Sequence, residues 1–343
     1  MPTLNEVARR AGVTPATVSN VLRGRGRVGE ATRQRVLEAV QALGYRPHLS
    51  ARALAEGRPP TIALMVSSIA NPFYPEFALV VENALRRSGR FLIICNTDGD
   101  PQTGRAYLEQ IAGTLSAGVL VMNANLDFAD LRATVRRGAP VVLCMWERPL
   151  DPPGLPCVAV DFRRAGELAA HHLLTLGHRR IGAIVGSKVS GIHAARYDGF
   201  VAAMQAAGLD GAGAPVRYAP DTTQGGYAAT SELLARHPDL TAIFATNDLP
   251  ALGAMQAAAD LGLDVPRELS VVGITDIQLA RESRPALTTV AVATTEAAEL
   301  AVELLTELVE APDSAAGATA RVCVVPAPRL VVRASTAAPR TKG

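Results

Sequence analysis

The apolar positions of the chain fall into two regimes. Over the first 45 residues they recur at helical spacing in three short groups. Leu4, Val7, Ala8 and Ala11 form the first, and Gly12 stops it. Thr3 and Glu6 have the spacing at which a hydroxyl and a carboxylate each accept the other's free backbone N–H at a helix start. Thr14 is placed to cap a second helix, with Pro15 in the first turn, where a missing N–H costs nothing. Val18, Val21 and Leu22 make its inner face, while Pro15, Ala16, Ser19, Asn20 and Arg23 fall on the other side, and Gly24 ends it. A third helix runs from about Glu30 to Leu43, with Val36, Leu37, Val40 and Leu43 inward and Gly44 closing it. Two short helices joined by a glycine-containing turn and backed by a third make a helix-turn-helix unit.

From Thr61 the pattern becomes short apolar runs separated by amphipathic helices. The predicted strands are 61–66, 91–96, 118–123, 140–145, 181–186, 241–246 and 269–274, with further strands at 159–161 and 329–333 and a long helix over 296–310. Such alternation predicts parallel, doubly wound sheets. The expected layout is a helix-turn-helix domain over 1–45 and a linker over 46–60. A first α/β lobe follows from 61–161 and 291–321, a second from 162–290 and 322–336, and a disordered tail from 337–343. Ligands bind in the cleft between such lobes, near strand carboxyl ends.

Charge changes the picture of the first segment. Residues 1–58 hold ten arginines and four glutamates, a net +6, although the whole chain carries only +2. A basic head on a mildly acidic body favours a polyanion at one end alone. At 343 residues and 48% hydrophobic the chain can bury a substantial core. No apolar run reaches the roughly 18 residues that span a bilayer, and no signal-peptide core leads the chain, so a cytoplasmic protein is expected. Cys95, Cys144, Cys157 and Cys323 are scattered, which predicts reduced, mostly buried thiols rather than disulfides or a zinc site. No cofactor is expected.

The second helix would enter the major groove of DNA. Its outer side is short and polar, so the backbone can come close. Asn20 can read adenine by a bidentate contact and Ala16 can touch a thymine methyl. Thr14, Thr17, Ser19, Arg23, Arg25 and Arg27 suit phosphates, which position without reading sequence. The alternative is an ordinary three-helix bundle with a solvated arginine-rich surface. In the linker, Pro47 and the pair Pro59–Pro60 bracket LSARALAEG, too short to hold a helix alone in water.

AGVTPATVSNVL, followed in register by VGEATRQRVLEAVQALGYRP, resembles the DNA-binding head of the LacI/GalR family of bacterial regulators. The resemblance implies that Pro15, Ala16 and Asn20 select operator bases. It also implies that the linker becomes a hinge helix when two subunits sit together on DNA. Leu54 then wedges a central base step in the minor groove, which bends the duplex onto the protein. Ala51 packs against the partner hinge and Arg52 contacts phosphate. Ordering of this hinge would transmit the effector signal. An incidental leucine in a structureless linker is the competing reading.

The body is similar to the family's periplasmic-binding-protein-like core, through IANPFYPEF, LLTLGHRRIGAIVG, ARYDGFVAAM, FATNDLPALGAM, VPRELSVVGITDI and PALTTV. That likeness implies effector contacts from Asn71, Phe73, Tyr74, Trp146, Asp161, Arg196, Gln224, Asn247, Asp248, Thr275 and Asp276. Arg196 is the foremost, as a fork donor to hydroxyls or a carboxylate. Trp146 either stacks on a ring or belongs to the core. Two departures stand out. Met145 and Thr275 occupy places where sugar-binding members carry carboxylates, so the effector is either a sugar or something less polar, aromatic or anionic. Dinucleotide enzymes share this architecture, but no GxGxxG follows a strand, and no P-loop or nucleophile elbow is present. His171, His172 and His178 cluster near a helix end, where His178 is expected to cap a helix rather than bind metal. A solute-binding protein of the same core would leave the head unexplained. The resulting expectation is a non-enzymatic transcription regulator, a repressor that binds a palindromic double-stranded operator as a homodimer under control of a small molecule.

Overall fold

The computed structural model describes residues 2–23, 26–45, 59–122, 125–147, 150, 153–186, 191–211, 213–311 and 321–340. Arg25, Ala51, Arg52 and Leu54 lie outside the described residues. The chain forms two compact units, Met1–Pro60 and Thr61–Gly343.

The first unit holds α1 (Leu4–Ala11), α2 (Pro15–Arg23) and α3 (Glu30–Leu43). Thr3 Oγ1 accepts from the Glu6 N–H at 3.3 Å and Glu6 Oε2 accepts from the Thr3 N–H at 2.7 Å, which completes the cap on α1. Gly12 and Gly44 end their helices in the left-handed region, as the breaks in periodicity require. Val7, Ala8, Ala11, Val18, Val21, Val36, Ala39 and Tyr45 form the core. Leu37 is not part of it, being 44% exposed. It lies about 100° around the helix from Val36, and Ala39 and Tyr45 fill the inward positions instead.

The second unit contains two six-stranded sheets among the described residues. The first, in the order β11-β5-β4-β3-β1-β2, is built from β1 (Thr61–Val66), β2 (Phe91–Asn96), β3 (Val119–Met122), β4 (Val141–Trp146), β5 (Cys157–Ala159) and β11 (Val322–Val324). The second, in the order β12-β10-β9-β8-β6-β7, is built from β6 (Ile181–Val185), β7 (Val216–Tyr218), β8 (Ala242–Ala245), β9 (Ser270–Thr275), β10 (Thr288–Ala291) and β12 (Arg329–Val331). Pairing is parallel except between β10 and β12. The intervening helices are α4 (Phe73–Arg87), α5 (Pro101–Gln110), α6 (Phe128–Arg136), α7 (Phe162–Thr175), α8 (Ile192–Ala206), α9 (Thr223–Arg236), α10 (Asp248–Asp260), α11 (Gln278–Glu282) and α12 (Thr294–Glu310).

The central strands are buried on both faces, which is why they read as unbroken apolar runs. In β3, Leu120 and Met122 face the main core, while Val119 and Val121 face a smaller one with Leu108 and Leu131. Helix α12 returns to the first lobe, burying Ala301, Leu304, Leu305 and Leu308. The cysteines are free, three of them buried, and burial pushes the Cys95 and Cys157 thiols up to about 11.

Three expectations need correction. Val322–Val324 pairs with β5 at the edge of the first sheet, so the chain returns to the second lobe only after it, not at 322. The apolar run at 159–161 is displaced: the strand is Cys157–Ala159, and Asp161 caps α7 by accepting from the Arg164 N–H at 2.8 Å. Residues 337–340 are not a loose tail. Ala337 O accepts from the Ser270 hydroxyl at 3.1 Å, and the Ala337 N–H returns a bond to it at 3.0 Å. Buried His178 joins this knot, with Nδ1 2.9 Å from Thr241 Oγ1 and Nε2 2.9 Å from Ala337 O.

Helices α7 and α8 touch backbone to backbone. A Cβ at Gly166 would lie 1.8 Å from Arg196 O, and one at Gly199 would lie 1.9 Å from Arg163 O. Gly166→Ala must therefore part the helices, at a cost of about 1–3 kcal/mol. The expected result is a lowered urea midpoint for the body. An unchanged midpoint would show that the close approach is dispensable.

Candidate functional site

On the head, the outward side of α2 carries Pro15, Ala16 and Asn20, all exposed. Thr14 Oγ1 accepts from the Thr17 N–H at 3.2 Å and lies 2.9 Å from Thr17 Oγ1, so both hydroxyls are engaged in the helix start. Ser19 is half-buried, Arg27 is exposed, and Arg23 ends the helix. Pro15, Ala16 and Asn20 are short enough to let the helix backbone approach a groove.

In the body, Asn71, Phe73 and Tyr74 follow β1, Arg196 lies on the helix after β6, Asn247 and Asp248 follow β8, and Thr275 and Asp276 lie at the end of β9. Strand order reverses between β1 and β3 in one sheet and between β6 and β8 in the other. Arg196, on α8, is fully buried. Its Nη1 donates to Thr246 O at 2.7 Å and its guanidinium lies 4.6 Å over the Phe162 ring. Its Nε and Nη2, on the opposite edge of the group, have no partner among the described residues. Burial lowers its pKa to about 10, and the charges of Asp221 and Asp248 and the nearby Tyr74 pull the other way.

Asn71, from the loop after β1, donates through Nδ2 to Asp221 Oδ2 at 2.9 Å. Asn247, which caps α10, donates to the same oxygen at 2.7 Å. The Asp221 carboxylate thus joins the two lobes, while its Oδ1 is buried without a partner among the described residues. His193 stands beside it, with Nδ1 3.0 Å from Thr246 Oγ1 and Nε2 3.9 Å from Asp221 Oδ2. Asp221, His193 and Thr246 were not predicted as site residues. Asp221 follows β7, a three-residue strand too short to show in the apolar pattern, so its position at a strand end was hidden.

The other predicted residues divide. Phe73 and Tyr74 are buried edge-to-face at the start of α4, and Tyr74 OH accepts from the Ser67 hydroxyl at 2.6 Å. Asp248 is fully buried and serves as a brace, accepting from Thr289 Oγ1, Thr275 Oγ1 and the Ile277 N–H. Thr275 Oγ1 shares its one proton between Asp248 Oδ2 at 3.2 Å and Asn247 Oδ1 at 2.9 Å, and with the Asp248 N–H, which donates to the same Asn247 oxygen at 2.8 Å, it orients that amide toward Asp221. Asp276 is held by Arg333 and Arg281. Asp161 and Gln224 are exposed, and Asp161 is spent on capping α7. Trp146 packs edge-on against Phe128 at 5.8 Å in the smaller core. A bulge in β4 places Met145 at φ +59° and turns Trp146 toward that face.

The sequence also resembles known proteins. Residues 3–48 match the family described as bacterial regulatory proteins, lacI family, and residues 170–336 match a periplasmic binding protein-like domain. The transcriptional regulator GalR of Escherichia coli (strain K12) is 35% identical over 310 residues, covering 89% of each chain. The transcriptional repressor PurR of Haemophilus influenzae (strain PittEE) is 32% identical over 340 residues, covering 98% of each. Among solved structures, a transcriptional regulator CelR–cellobiose complex is 31% identical, with a TM-score of 0.70, over 98% of this chain and 100% of that one. The lac repressor dimer bound to operator and the anti-inducer ONPF shares the fold at 24% identity, with a TM-score of 0.84, over 98% and 99%.

Burial raises the Asp221 carboxyl to about 6, against the pull of Arg196 and the two amides. The unfolded chain ionises it near 3.8, so between these values the folded chain binds more protons, and stability falls as pH rises through that window. His193 acts oppositely: burial and then the Arg196 charge lower it to about 3, so its contribution is lost as pH falls from 6.5. Comparing Asp221→Asn with wild type separates the two. Relative to wild type, the variant's Tm should climb as pH goes from about 4 to about 6 and level off above. A flat difference curve across that range would refute a half-buried carboxyl that holds its proton in the folded chain.

Proposed function

The chain belongs to the LacI family of bacterial regulatory proteins and is a DNA-binding transcription regulator rather than an enzyme, and on that premise we propose that it is a repressor, binding a palindromic operator as a homodimer and answering to a small molecule held between its two lobes. The observation that carries the DNA half is the outward side of α2, where exposed Ala16 and Asn20 stand on a capped helix within a basic segment. Asn20 reads a base edge, and Arg27 with its neighbours holds phosphates. Residues 46–60 act as the hinge, with Leu54 as the wedge, Ala51 at the partner hinge and Arg52 on phosphate. The protein works in the cytoplasm, at the nucleoid when bound; none of its described helices is long and apolar enough to cross a membrane.

The ligand half rests on Arg196, a buried guanidinium with a whole edge unpaired. Leaving such donors unpaired in the folded chain is costly unless something binds there. Cellobiose in the CelR structure supports a sugar for this cleft, and the carboxylate missing at Met145 argues against an identical grip.

The homodimer is supported by an open apolar edge on the first lobe. Strand β2 is the outermost in its sheet, with Phe91 and Ile94 exposed, and beside it Ile69 and Leu79 are 54% and 62% exposed. A groove of about 600 Å³ runs between them, lined also by Pro75 and Ala78. An unpaired, apolar sheet edge of this kind calls for a second copy. Leu79→Glu should shift the protein from dimer to monomer in sedimentation. A dimer of unchanged strength would move the interface elsewhere.

Operator selection from random duplexes, followed by fluorescence anisotropy, tests the DNA half. Asn20→Ala should relax preference at one base position by about 1–3 kcal/mol. Arg27→Ala should weaken binding to all sequences alike and lower the salt slope by about one. If neither variant alters DNA binding, α2 is not the reading helix.

A further inference from the structure

The cleft has two sets of unsatisfied buried atoms of opposite character. Arg196 offers Nε and Nη2, two parallel donors on one edge, while Nη1 is held by Thr246 O at 2.7 Å. Asp221 offers Oδ1, an acceptor, while Oδ2 is saturated by Asn71 and Asn247 at 2.9 and 2.7 Å. Neither set satisfies the other among the described residues, so each is open to a group brought in by a bound molecule. The charge inventory narrows what that is. Arg196 is already balanced by Asp221 and by Asp248, whose oxygens are spent on Thr289, Thr275 and the Ile277 N–H. Asp276 is neutralised by Arg333 and Arg281. A simple anion would satisfy the guanidinium but would bring negative charge against Asp221 and leave Oδ1 without a donor.

We infer that Asp221 is a specificity-determining residue of the effector site, selecting a net-neutral ligand that sets a hydroxyl or ammonium donor on Asp221 Oδ1 beside an acceptor group on the Arg196 fork. This deepens the effector-controlled reading above and rests on it. Two kinds of molecule carry that chemistry: a neutral polyol, whose neighbouring hydroxyls both donate and accept, and a zwitterionic α-amino acid. Because Asp221 Oδ2 also receives Asn71 from the other lobe, the group that reads the ligand's donor also straps the lobes together. Binding at Oδ1 and closure at Oδ2 meet on one carboxylate.

The substitution Asp221→Asn reverses the polarity of the pocket. The two asparagine amides hold the new side-chain oxygen on their side, so the NH₂ turns into the cleft and the site gains a positive charge. The test is isothermal titration of the full-length protein with neutral mono- and disaccharides and α-amino acids, each against a matched anion. D-glucose is set against D-glucuronate, and L-alanine against pyruvate. Wild type should bind a neutral probe at least tenfold more tightly than its matched anion. Asp221→Asn should lose at least tenfold on that probe and gain on the anion. Equal or tighter binding of the anion by wild type overturns the inference, as does an unchanged affinity in the variant or a panel with no binder. Operator binding by the ligand-free protein is measured alongside, and its loss would count against the regulator reading rather than against Asp221.

Discussion

The guanidinium of Arg196 is buried from all sides in the second lobe, and much of the surrounding structure serves to keep a charge in that place. An isolated buried cation is prohibitively unfavourable, so it must be surrounded by opposite charge, dipoles and an aromatic face. The structure supplies each. Asp221 and Asp248 provide charge, Thr246 O provides a direct acceptor, and Phe162 lies beneath the plane. Those groups then need their own support. Asp248 is fixed by two threonine hydroxyls and a backbone N–H from two segments, 275–277 and Thr289. Asn247 is oriented by Thr275, so that its amide donor is left for Asp221. Even the packing of α7 on α8 belongs to this arrangement, because Gly166 makes room for the Arg196 carbonyl itself.

Much of the fold could be read in the sequence, because its elements satisfy local and global demands together. The three helices of the head match their expected bounds, since Thr3, Glu6, Pro15, Gly12 and Gly44 each have a backbone role that few other residues fill as well. The long central strands are legible for a different reason: burial on both faces leaves nothing but apolar residues. The strands that were missed lack that property or are too short to show it. Val216–Tyr218 and Val322–Val324 are three-residue edge strands, only partly buried, and the inner strand Thr288–Ala291 buries threonine hydroxyls that bond to other side chains, so it does not read as an apolar run. The misplaced return to the second lobe follows from the missing β11.

The site was less legible than the fold for a related reason. Residue type identified groups able to recognise a ligand, but it could not show which were already engaged. Asp248, Asp161 and Asp221 are all aspartates at or near strand ends. Among the described residues only the third keeps a buried oxygen unpaired, and that depends on partners far away in the chain. Trp146 shows the same limit in backbone terms. Strict alternation along β4 would set it on the main core face with Val142 and Cys144, and one bulged residue sends it to the other.

These constraints also bear on how a ligand could alter the shape of the body. Asn71 on one lobe meets the Asp221–Asn247 pair on the other through one carboxylate oxygen, and Glu76 Oε1 accepts from the Gln278 N–H at 2.9 Å as a second link. A carboxylate shares its charge between both oxygens. A donor arriving at Oδ1 therefore draws charge from Oδ2 and weakens its hold on the two amides, yet it also steadies the ionised form on which that hold depends. Which effect prevails is set by how much of the carboxyl is ionised before the ligand arrives, and a pKa of about 6 leaves it mostly ionised at neutral pH. A ligand can change the body only through what it does differently in two arrangements of the lobes. Here Asp221 through Asn71 and Glu76 through the Gln278 N–H carry direct bonds between the lobes, and of these two side chains Asp221 is the one on which the proposed ligand contact also falls.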